Sequence, residues 1–421
     1  MDVRIEPVPL KGNITVTASK SELHRMLICA AFSDRPVRIL AAPGYLSRDI
    51  KATAGCLEAL GADISPERDS LTVIPSDRKN ASAVMECIES GSTLRMLLPV
   101  AASVCGSLEV SGEGSLLRRP LSGLIKTMEE HGVVFTSDVL PFRTSGILRG
   151  GRFTVEGNIT SQYLSGLLLA APLLEEEAEI MLSSELVSAG YTQLTADVMR
   201  QFGRTVISDG RSFRCQPGGY ISPGTVTAGG DWSSAAAFIA MAAAGRECDI
   251  TVSGLKEGSF QPDRRILDIL RKAGAEIGAD DDGIRVKSSE LTAFEADAAV
   301  VPDLIPVLSA LACAAEGRSV FRSCGRLRYK ESDRLAAMTG MLSGMGADIR
   351  EDGDIFTVER TGNGMSLTAD PGEDHRIVMA AAVAAYAFSV PVTVMNAEAV
   401  TKSYPDFFKD LRNLGGRADV L

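Results

Sequence analysis

The sequence lacks the excess of basic residues that a nucleic-acid-binding protein needs. Lysine and arginine number 43, against 54 aspartate and glutamate residues, so the formal net charge at pH 7 is −11. The chain also has no low-complexity tract and no long run of like charges. Because a basic surface is what binds phosphate backbones, this balance argues against a nucleic-acid partner.

Residues that bind metals are few or badly spaced. The three histidines stand at positions 24, 131 and 375, and the eight cysteines form no CxxC pair. Zinc sites need several such ligands at short, regular spacing, so we expect no metal site. The cysteines lie mostly in apolar sequence and no signal peptide is evident, which predicts reduced core thiols in a cytoplasmic protein.

One stretch is free of charge for long enough to raise the question of a membrane span. It runs from Ile377 to Met395 and contains Pro391 among many alanines. Proline and an alanine-rich composition weigh against a spanning helix. We therefore predict a buried helix followed by a β-strand, and no membrane partner.

What the chain does have is a unit of sequence repeated six times. In each unit an amphipathic helix runs into a glycine and is followed by two short strands, as in LRKAGAEIG and IRVKSS. These glycines recur every 69 to 72 residues, at Gly61, Gly132, Gly203, Gly274, Gly346 and Gly415. Such regular spacing indicates an internal structural repeat.

A second series of segments keeps the same spacing. Six polar clusters each open a stretch that is apolar on all sides, such as MLLPVAASV, which predicts a buried helix. The clusters fall near Ser21, Gly91, Ser161, Trp232, Asp303 and Asp374. We therefore predict that each unit forms a strand, a buried helix, a strand, an outer helix and two further strands. The predicted fold class is α/β.

The last repeat is one strand short, and the N-terminal sequence DVRIEPV has the pattern that would fill the gap. We therefore predict that the two ends of the chain pair. This divides the protein into a first domain of residues 14–227 and a second domain of residues 1–13 and 228–421. Each domain contains three βαβαββ repeats, and two chain crossings join them.

Basic residues recur where helices begin, although the repeat does not require them there. They are Lys20, Arg25, Arg119, Lys330, Arg334, Arg376 and Lys402. Helix N-termini already carry partial positive charge, so an anionic ligand would relieve the repulsion. Any one of these cations is more simply a solvated surface charge, and the nearby serines and threonines are equally well N-caps. Asp49, Asp231 and Asp406 we interpret as caps, whereas the recurrence of cations favours an anion site.

Two acids stand beside these cations. Asp303, in VVPDLIPVL, lies between an apolar strand and an apolar helix. It is either an N-cap or, if desolvated among cations, a general base. Glu331, in KESDR, is either part of an ordinary charge cluster at a helix start or a member of the same site.

At these residues the chain resembles the 5-enolpyruvylshikimate-3-phosphate (EPSP) synthase family. The motifs occur in the family's order along the whole chain: SKSELHR, SGSTLR, LRRP, TSQYLSGLLLAAPLL, VPDLIPVL, YKESDRLAAM, EDHRIVMA and TKSYPDFF. The resemblance implies transfer of the enolpyruvyl group of phosphoenolpyruvate to the 5-hydroxyl of shikimate 3-phosphate. Phosphate is released through a tetrahedral intermediate, in the pathway to chorismate. It also implies two inside-out α/β barrels, built around buried parallel helices, that close on substrate.

The resemblance further implies a role for each matching residue. Shikimate 3-phosphate is expected at Ser21, Arg25, Thr160, Ser161, Gln162, Ser188, Tyr191, Asp303 and Lys330. Phosphoenolpyruvate is expected at Lys20, Gly91, Arg119, Gln162, Arg334, Arg376 and Lys402. Asp303 is the implied acceptor of the hydroxyl proton, Glu331 the donor to the methylene, and Lys20 offsets phosphate charge. A cytoplasmic monomer acting on these two small molecules, with no metal or cofactor, is the resulting expectation.

A few residues depart from the family pattern or have two explanations. Glu89 and Ser90 stand where many relatives have asparagine and alanine, which would bring an extra acid near the phosphoenolpyruvate pocket. Arg326 stands where asparagine is common, and it either contacts phosphate or points to solvent. His375 is expected to position a neighbour, with an N-cap role as the alternative.

Three other functions compete with this interpretation. The sister transferase that acts on UDP-N-acetylglucosamine has a KN pair near its start and a loop cysteine, where this chain has SKS and, in EGSLLRRP, an arginine. An RNA 3′-phosphate cyclase needs a nucleotide-accepting histidine and a surface for RNA. A non-catalytic repeat scaffold would bind the same anions without turnover.

Overall fold

The helices predicted from the repeat are present in the computed structural model, which describes residues 1–75, 81–256 and 258–421. Twelve α-helices occur in these residues: α1 Lys20–Ala31, α2 Arg48–Ala59, α3 Gly91–Val104, α4 Ser122–Glu129, α5 Ser161–Ala170, α6 Ala189–Gln201, α7 Trp232–Ala244, α8 Ile266–Lys272, α9 Ile305–Ala312, α10 Arg334–Met345, α11 His375–Phe388 and α12 Phe407–Asn413. The odd-numbered helices are buried on nearly all sides, and the even-numbered ones are buried on one side. The predicted alternation is confirmed.

Short 3₁₀ turns and strands fill the rest of each repeat. The turns are Gly114–Arg118, Ala171–Leu173, Pro262–Arg265, Gly325–Tyr329 and Ala397–Lys402. The strands are β1 Val3–Glu6, β2 Lys11–Thr15, β3 Val37–Leu40, β4 Asp63–Pro66, β5 Ser70–Ile74, β6 Ser82–Glu86, β7 Ser107–Ser111, β8 Val134–Phe135, β9 Phe142–Ser145, β10 Gly151–Val155, β11 Ala178–Leu182, β12 Ile207–Ser208, β13 Ser212–Cys215, β14 Thr225–Thr227, β15 Asp249–Ser253, β16 Ile277–Asp280, β17 Gly283–Lys287, β18 Leu291–Thr292, β19 Glu295–Asp297, β20 Ala315–Glu316, β21 Ser319–Arg322, β22 Ala347–Asp352, β23 Ile355–Arg360, β24 Leu367–Ala369, β25 Val392–Val394 and β26 Arg417–Val420.

The described strands form six four-stranded sheets of one topology and a two-stranded sheet of β18 and β20. In the sheet of order β6-β7-β9-β8, the first pair is parallel and the other two are antiparallel. The same order of parallel and antiparallel pairs recurs in the other five four-stranded sheets. The repeated sequence unit is therefore a repeated sheet and helix unit.

The N-terminal strand completes the last of these sheets. β1 pairs antiparallel with β26, from Val3 opposite Val420 to Glu6 opposite Arg417, and with β25 on its other side. Val3 and Ile5 are fully buried in this position. The predicted pairing of the two chain ends is confirmed.

The chain forms two compact units. Residues 19–229 make one, here called unit I, and residues 1–18 with 230–421 make the other, unit II. Each contains three of the four-stranded sheets. β14 pairs with β3 inside unit I, and β2 pairs with β15 inside unit II, so each chain crossing follows a strand that belongs to the unit being left.

The six repeat glycines end the outer helices for a conformational reason. Their φ angles all lie between 73° and 110°, the left-handed region that favours glycine at the end of a helix. The chain can then turn back into the strand that follows. The charge-free stretch forms α11 and β25, as predicted. No helix in the described residues is both long and apolar enough to cross a membrane.

The buried helices α3 and α5 approach closely at a glycine. A β-carbon added at Gly166 would lie 2.4 Å from the backbone oxygen of Arg95. Any larger residue at 166 must therefore push the two helices apart, because backbone cannot move aside as a flexible side chain can. Both helices begin with residues of the predicted site.

Gly166→Ala is expected to destabilise the protein by about 1–3 kcal/mol, because it overpacks the α3–α5 contact. Gly55→Ala is the matched control, since Gly55 lies in α2 with nothing within 4 Å of the added carbon. The control should be neutral or stabilising by up to about 1 kcal/mol. Urea denaturation followed by circular dichroism measures both, and equal stability of the two variants would contradict the close contact.

Candidate active site

The first turn of α1 presents the residues predicted from SKSELHR. Ser19 caps the helix by accepting a hydrogen bond from the Glu22 N–H at 3.3 Å, so Lys20 is the first helical residue. Its Nζ donates to Asp49 Oδ2 at 2.7 Å. Asp49 is therefore an ion-pair partner and not the cap we expected; the cap of α2 is Ser47.

Arg25 connects α1 to the start of α6. Its guanidinium donates to the Ser21 carbonyl at 2.7 Å, to the Thr195 hydroxyl at 2.7 Å and to the Tyr191 carbonyl at 3.2 Å. Burial lowers the pKa of Arg25 to about 10. Ser188 occupies the N-cap position of α6 in a left-handed conformation. Four residues expected to bind shikimate 3-phosphate thus lie together in unit I.

The start of α3 brings Gly91 to Arg119. Ser90 caps this helix, accepting from the Thr93 N–H at 3.1 Å. A β-carbon on Gly91 would lie 2.6 Å from Arg119 Nη1, so the guanidinium occupies the space that glycine leaves. The unusual acid Glu89 is buried and its carboxylate lies 3.8 Å from Arg48 Nη1.

The Gln162 amide ties the start of α5 to these segments. Thr160 caps α5, which begins at Ser161. Gln162 Nε2 donates to Ser92 Oγ at 2.9 Å, and Oε1 accepts from Arg95 Nη1 at 3.2 Å. The residues predicted in unit I therefore lie at the N-caps or in the first two turns of neighbouring helices, except Arg119, which follows the turn Gly114–Arg118.

Arg95 is a residue of this site that our sequence analysis did not single out. Besides Gln162, it donates from Nη2 to the Pro120 carbonyl at 2.9 Å and so fixes the segment that carries Arg119. Burial lowers its pKa to about 10. The signal that could have identified it is an arginine inside an otherwise apolar helix.

In unit II the central group is the Asp303 carboxylate. Its Oδ1 lies 2.9 Å from Arg334 Nη1 and 3.8 Å from Lys330 Nζ, and its Oδ2 lies 3.9 Å from Arg376 Nη2. The N-cap alternative for Asp303 is wrong, because Leu304 holds that position before α9. Burial raises the pKa of Asp303, but the charges of the three cations outweigh it and hold the pKa well below its ordinary value.

Arg334 is shared between two carboxylates. Only 2% of its side chain is exposed, and its Nε lies 2.9 Å from Asp374 Oδ2. Asp374 also caps α11, accepting from the Arg376 N–H at 2.9 Å. Burial lowers the pKa of Arg334, but Asp374 and Asp303 raise it by more, so the guanidinium stays charged.

The second predicted acid is held by a histidine. His375 Nδ1 lies 2.7 Å from Glu331 Oε2, and the N-cap alternative for His375 is wrong because Asp374 is the cap. Lys402 Nζ donates to the carbonyl of Glu373 at 2.6 Å. The six predicted residues of unit II are therefore brought to the start of α11.

Asp263 is a buried acid beside this group that the sequence did not reveal. It lies in the turn Pro262–Arg265, is 1% exposed and accepts a hydrogen bond from the Ser233 hydroxyl. Burial and then the charges of Asp303 and Asp231 raise its pKa to about 7, although Arg376 opposes them. Nothing in QPDRR distinguishes this acid from a helix-start residue. Asp231 caps α7, as expected.

Glu331, Asp374 and His375 have donor atoms within 4.8 Å of one another, close enough to hold a metal ion. The oxygens of Asp374 already accept from Arg334 and from the Arg376 N–H. A cation placed there would also face the charge of Arg334, so we assign no metal to this group.

Arg326 is half-buried in the turn Gly325–Tyr329, which leads into Lys330.

The chain matches known proteins over nearly its full length. The family model described as EPSP synthase (3-phosphoshikimate 1-carboxyvinyltransferase) matches residues 5–411. A relative from Clostridium kluyveri, named 3-phosphoshikimate 1-carboxyvinyltransferase, is 36% identical over 99% of this chain and 98% of its own. A relative of the same name from Methanothrix thermoacetophila is also 36% identical, with the same coverage.

Solved structures share the fold. An EPSP synthase from Acinetobacter baumannii has a TM-score of 0.82 at 24% identity and covers 99% of both chains. The enolpyruvyl transferase NikO from Streptomyces tendae has a TM-score of 0.74 at 19% identity, covering 99% of this chain and 98% of its own. At these identities the structures establish a common α/β architecture. Because the family model and the relatives span nearly the whole sequence, the chain belongs to the EPSP synthase family.

Proposed function

We propose that this protein is a 3-phosphoshikimate 1-carboxyvinyltransferase with units I and II as its two domains. It transfers the enolpyruvyl group of phosphoenolpyruvate to shikimate 3-phosphate and releases phosphate. The observation that carries the proposal is the position of the Asp303 carboxylate among the cations of Lys330, Arg334 and Arg376. All eight cysteines are free and buried, which fits work in the reducing cytoplasm.

Unit I supplies hydroxyls, an amide and cations to both substrates. Ser21, Arg25, Ser188 and Tyr191 lie at one pair of helix starts, where they suit the hydroxyls and phosphate of shikimate 3-phosphate. Thr160, Ser161 and Gln162 complete that set. Lys20, Gly91, Arg119 and Gln162 hold phosphoenolpyruvate, and the glycine leaves the Arg119 guanidinium room beside the backbone of α3. Arginine suits this place because its planar fork can bind a carboxylate or phosphate through two hydrogen bonds.

Unit II supplies the remaining cations and the two acids. Lys330 binds shikimate 3-phosphate, while Arg334, Arg376 and Lys402 bind phosphoenolpyruvate. Before substrate binds, these cations hold the pKa of Asp303 well below its usual value. Anionic substrates bring negative charge close to Asp303 and pair with the cations around it. The pKa of Asp303 therefore rises as they bind. The carboxylate thus becomes a better base when its substrate is in place.

The reaction then needs one proton acceptor and one proton donor. Asp303 takes the proton of the 5-hydroxyl as the oxygen bonds to C2 of phosphoenolpyruvate, and Glu331 protonates the methylene carbon to give a tetrahedral ketal. In the elimination Glu331 removes a methyl proton, the C2–phosphate bond breaks and inorganic phosphate leaves with the proton returned by Asp303. His375 orients Glu331 through the 2.7 Å contact. Lys20 and Lys402 offset the charge of the phosphate.

Asp303→Asn and Glu331→Gln are each expected to lower kcat by about 10²–10⁴, the usual worth of a general acid or base. Asp303→Asn should not raise the KM for phosphoenolpyruvate, because the cations lose an internal counter-charge that competes with the substrate. Phosphate release from shikimate 3-phosphate and phosphoenolpyruvate measures both parameters.

Glu295→Gln is the matched control, since the Glu295 side chain is 63% exposed, and it should retain wild-type rates. Full activity of both site variants would overturn the assignment of acid and base. No phosphate release by the wild-type protein would overturn the proposed function. Release with UDP-N-acetylglucosamine in place of shikimate 3-phosphate would identify the sister enzyme.

Gly91→Ala is expected to raise the KM for phosphoenolpyruvate about tenfold, because the new methyl group displaces the Arg119 guanidinium from its binding geometry. The KM for shikimate 3-phosphate should change less than about twofold, since its proposed ligands are not displaced. Gly55→Ala serves again as control and should leave both constants unchanged. An unaltered KM for phosphoenolpyruvate in Gly91→Ala would remove Arg119 from the site.

Asp263→Asn is expected to make the protein relatively more stable at high pH. The pKa of Asp263 is about 7 in the folded chain against an ordinary 3.8, so between these values the folded chain binds the extra proton. The contribution of Asp263 to the stability of the protein is therefore greatest at low pH and is lost as the pH rises through 7. Asparagine stays neutral, so from pH 5 to pH 8 the variant should gain on the order of 2 kcal/mol relative to wild type.

Urea denaturation at the two pH values measures this gain. Asp268→Asn, on the exposed side of α8, is the matched control and should show no such change with pH. A constant difference between Asp263→Asn and wild type would contradict the raised pKa of Asp263.

A further inference from the structure

A buried chain of hydrogen bonds runs through unit I beneath the proposed substrate ligands. His24 Nδ1 lies 2.7 Å from Thr53 Oγ1, and Thr53 Oγ1 lies 2.7 Å from Thr93 Oγ1. Thr93 Oγ1 in turn donates to Ser90 Oγ at 2.7 Å. The four side chains are at most 1% exposed, and they come from α1, α2 and the start of α3.

The donors and acceptors in this chain of hydrogen bonds can be assigned in only one order. A threonine hydroxyl has one proton, and Thr93 donates its proton to Ser90 or, at 3.5 Å, to the carbonyl of Asp49. Thr93 must therefore accept from Thr53, and Thr53 must accept from His24. The proton of the His24 imidazole consequently lies on Nδ1.

The surroundings of His24 keep its ring neutral. Burial lowers the pKa of His24 to about 3; Asp49 opposes this shift, whereas Lys20 and Arg25 add to it. In the described residues Nε2 has no hydrogen-bond partner, as fits a nitrogen that carries no proton. The ring is held in place through Nδ1 alone.

The two ends of the chain lie in different parts of the proposed site. His24 stands between Lys20 and Arg25 on α1, whereas Ser90 caps the helix that begins at Gly91. Ser90 accepts from both the Thr93 N–H and the Thr93 hydroxyl. Movement of the His24 ring would therefore shift the cap, and with it the backbone beside Arg119.

We propose that His24 is a positioning residue that acts through Thr53, Thr93 and Ser90 to fix the phosphoenolpyruvate-binding start of α3 against α1. This inference rests on the function proposed above and adds a residue to that site. His24 touches no substrate in this arrangement. Its role is to hold Gly91 and the cap of α3 at the distance that suits a small anion.

The first test removes the hydroxyl of Thr53, which lies in the middle of the series of hydrogen bonds. Thr53→Val keeps the shape of the side chain but can neither donate nor accept, so the KM for phosphoenolpyruvate should rise about tenfold, the worth of one buried hydrogen bond. The KM for shikimate 3-phosphate and kcat should change less than about threefold. Thr53→Ser keeps the hydroxyl and should behave as wild type.

The second test asks which atom of His24 matters. His24→Asn places an amide N–H near the position of Nδ1 and should preserve the low KM for phosphoenolpyruvate. His24→Leu has no donor and should match Thr53→Val. Thr127→Val is the control for a merely structural loss, since Thr127 is a buried threonine of α4 whose hydroxyl lies 3.0 Å from the carbonyl of Gly123 and 2.9 Å from that of Thr154. It should lower the melting temperature without a selective change in KM.

The third measurement does not depend on turnover or on any variant. Nitrogen-15 NMR of the wild-type protein, which has three histidines, should show a neutral ring with its proton on Nδ1 that does not titrate between pH 5 and 8. A proton on Nε2, or equal changes in KM for Thr53→Val and Thr127→Val, would overturn the proposal. If wild type releases no phosphate, the proposed function fails while the NMR result still decides the direction of the chain.

Discussion

The neutralisation of one buried guanidinium is the constraint on which the unit II site depends. Arg334 is almost fully enclosed, and an unpaired charge in that position would cost several kcal/mol. Asp303 and Asp374 each meet it at 2.9 Å. Because Asp374 also caps α11, the same contacts fix the positions of His375 and Arg376, the first two residues of that helix. The positions of base, acid and cations thus follow from the pairing of one side chain.

Much of the fold was predictable because two separate patterns in the sequence, the repeat glycines and the wholly apolar stretches, recur at the same spacing. The spacing of Gly61 and its five counterparts fixes where outer helices end, and the wholly apolar stretches fix which helices are buried. The pairing of β1 with β26 was predictable from a missing strand. The places where the chain passes from one unit to the other depend on which sheet accepts β2 and β14, and no local pattern states that choice.

The candidate site was predictable only in part, and the reason is physical. Charged residues at helix starts are visible in a sequence, so Lys20, Arg334 and Arg376 could be named. The partners that decide their chemistry are distant: Arg95 meets Gln162 67 residues away, and His24 meets Thr53 29 residues away. Burial and the surrounding cations shift the pKa of Asp303 in opposite directions, and the cations outweigh burial. The sign of that shift required the distances.

The pairing of the first strand with the last has a consequence for biosynthesis. Residues 19–229 are consecutive, so a ribosome releases everything this half requires before the remainder is translated, and domains generally fold as units in that order. The other half cannot complete its sheet until β26 has been translated, because β1 pairs with that strand. Until then β1 has an unpaired edge, and protection by a chaperone would prevent that edge from pairing with another chain.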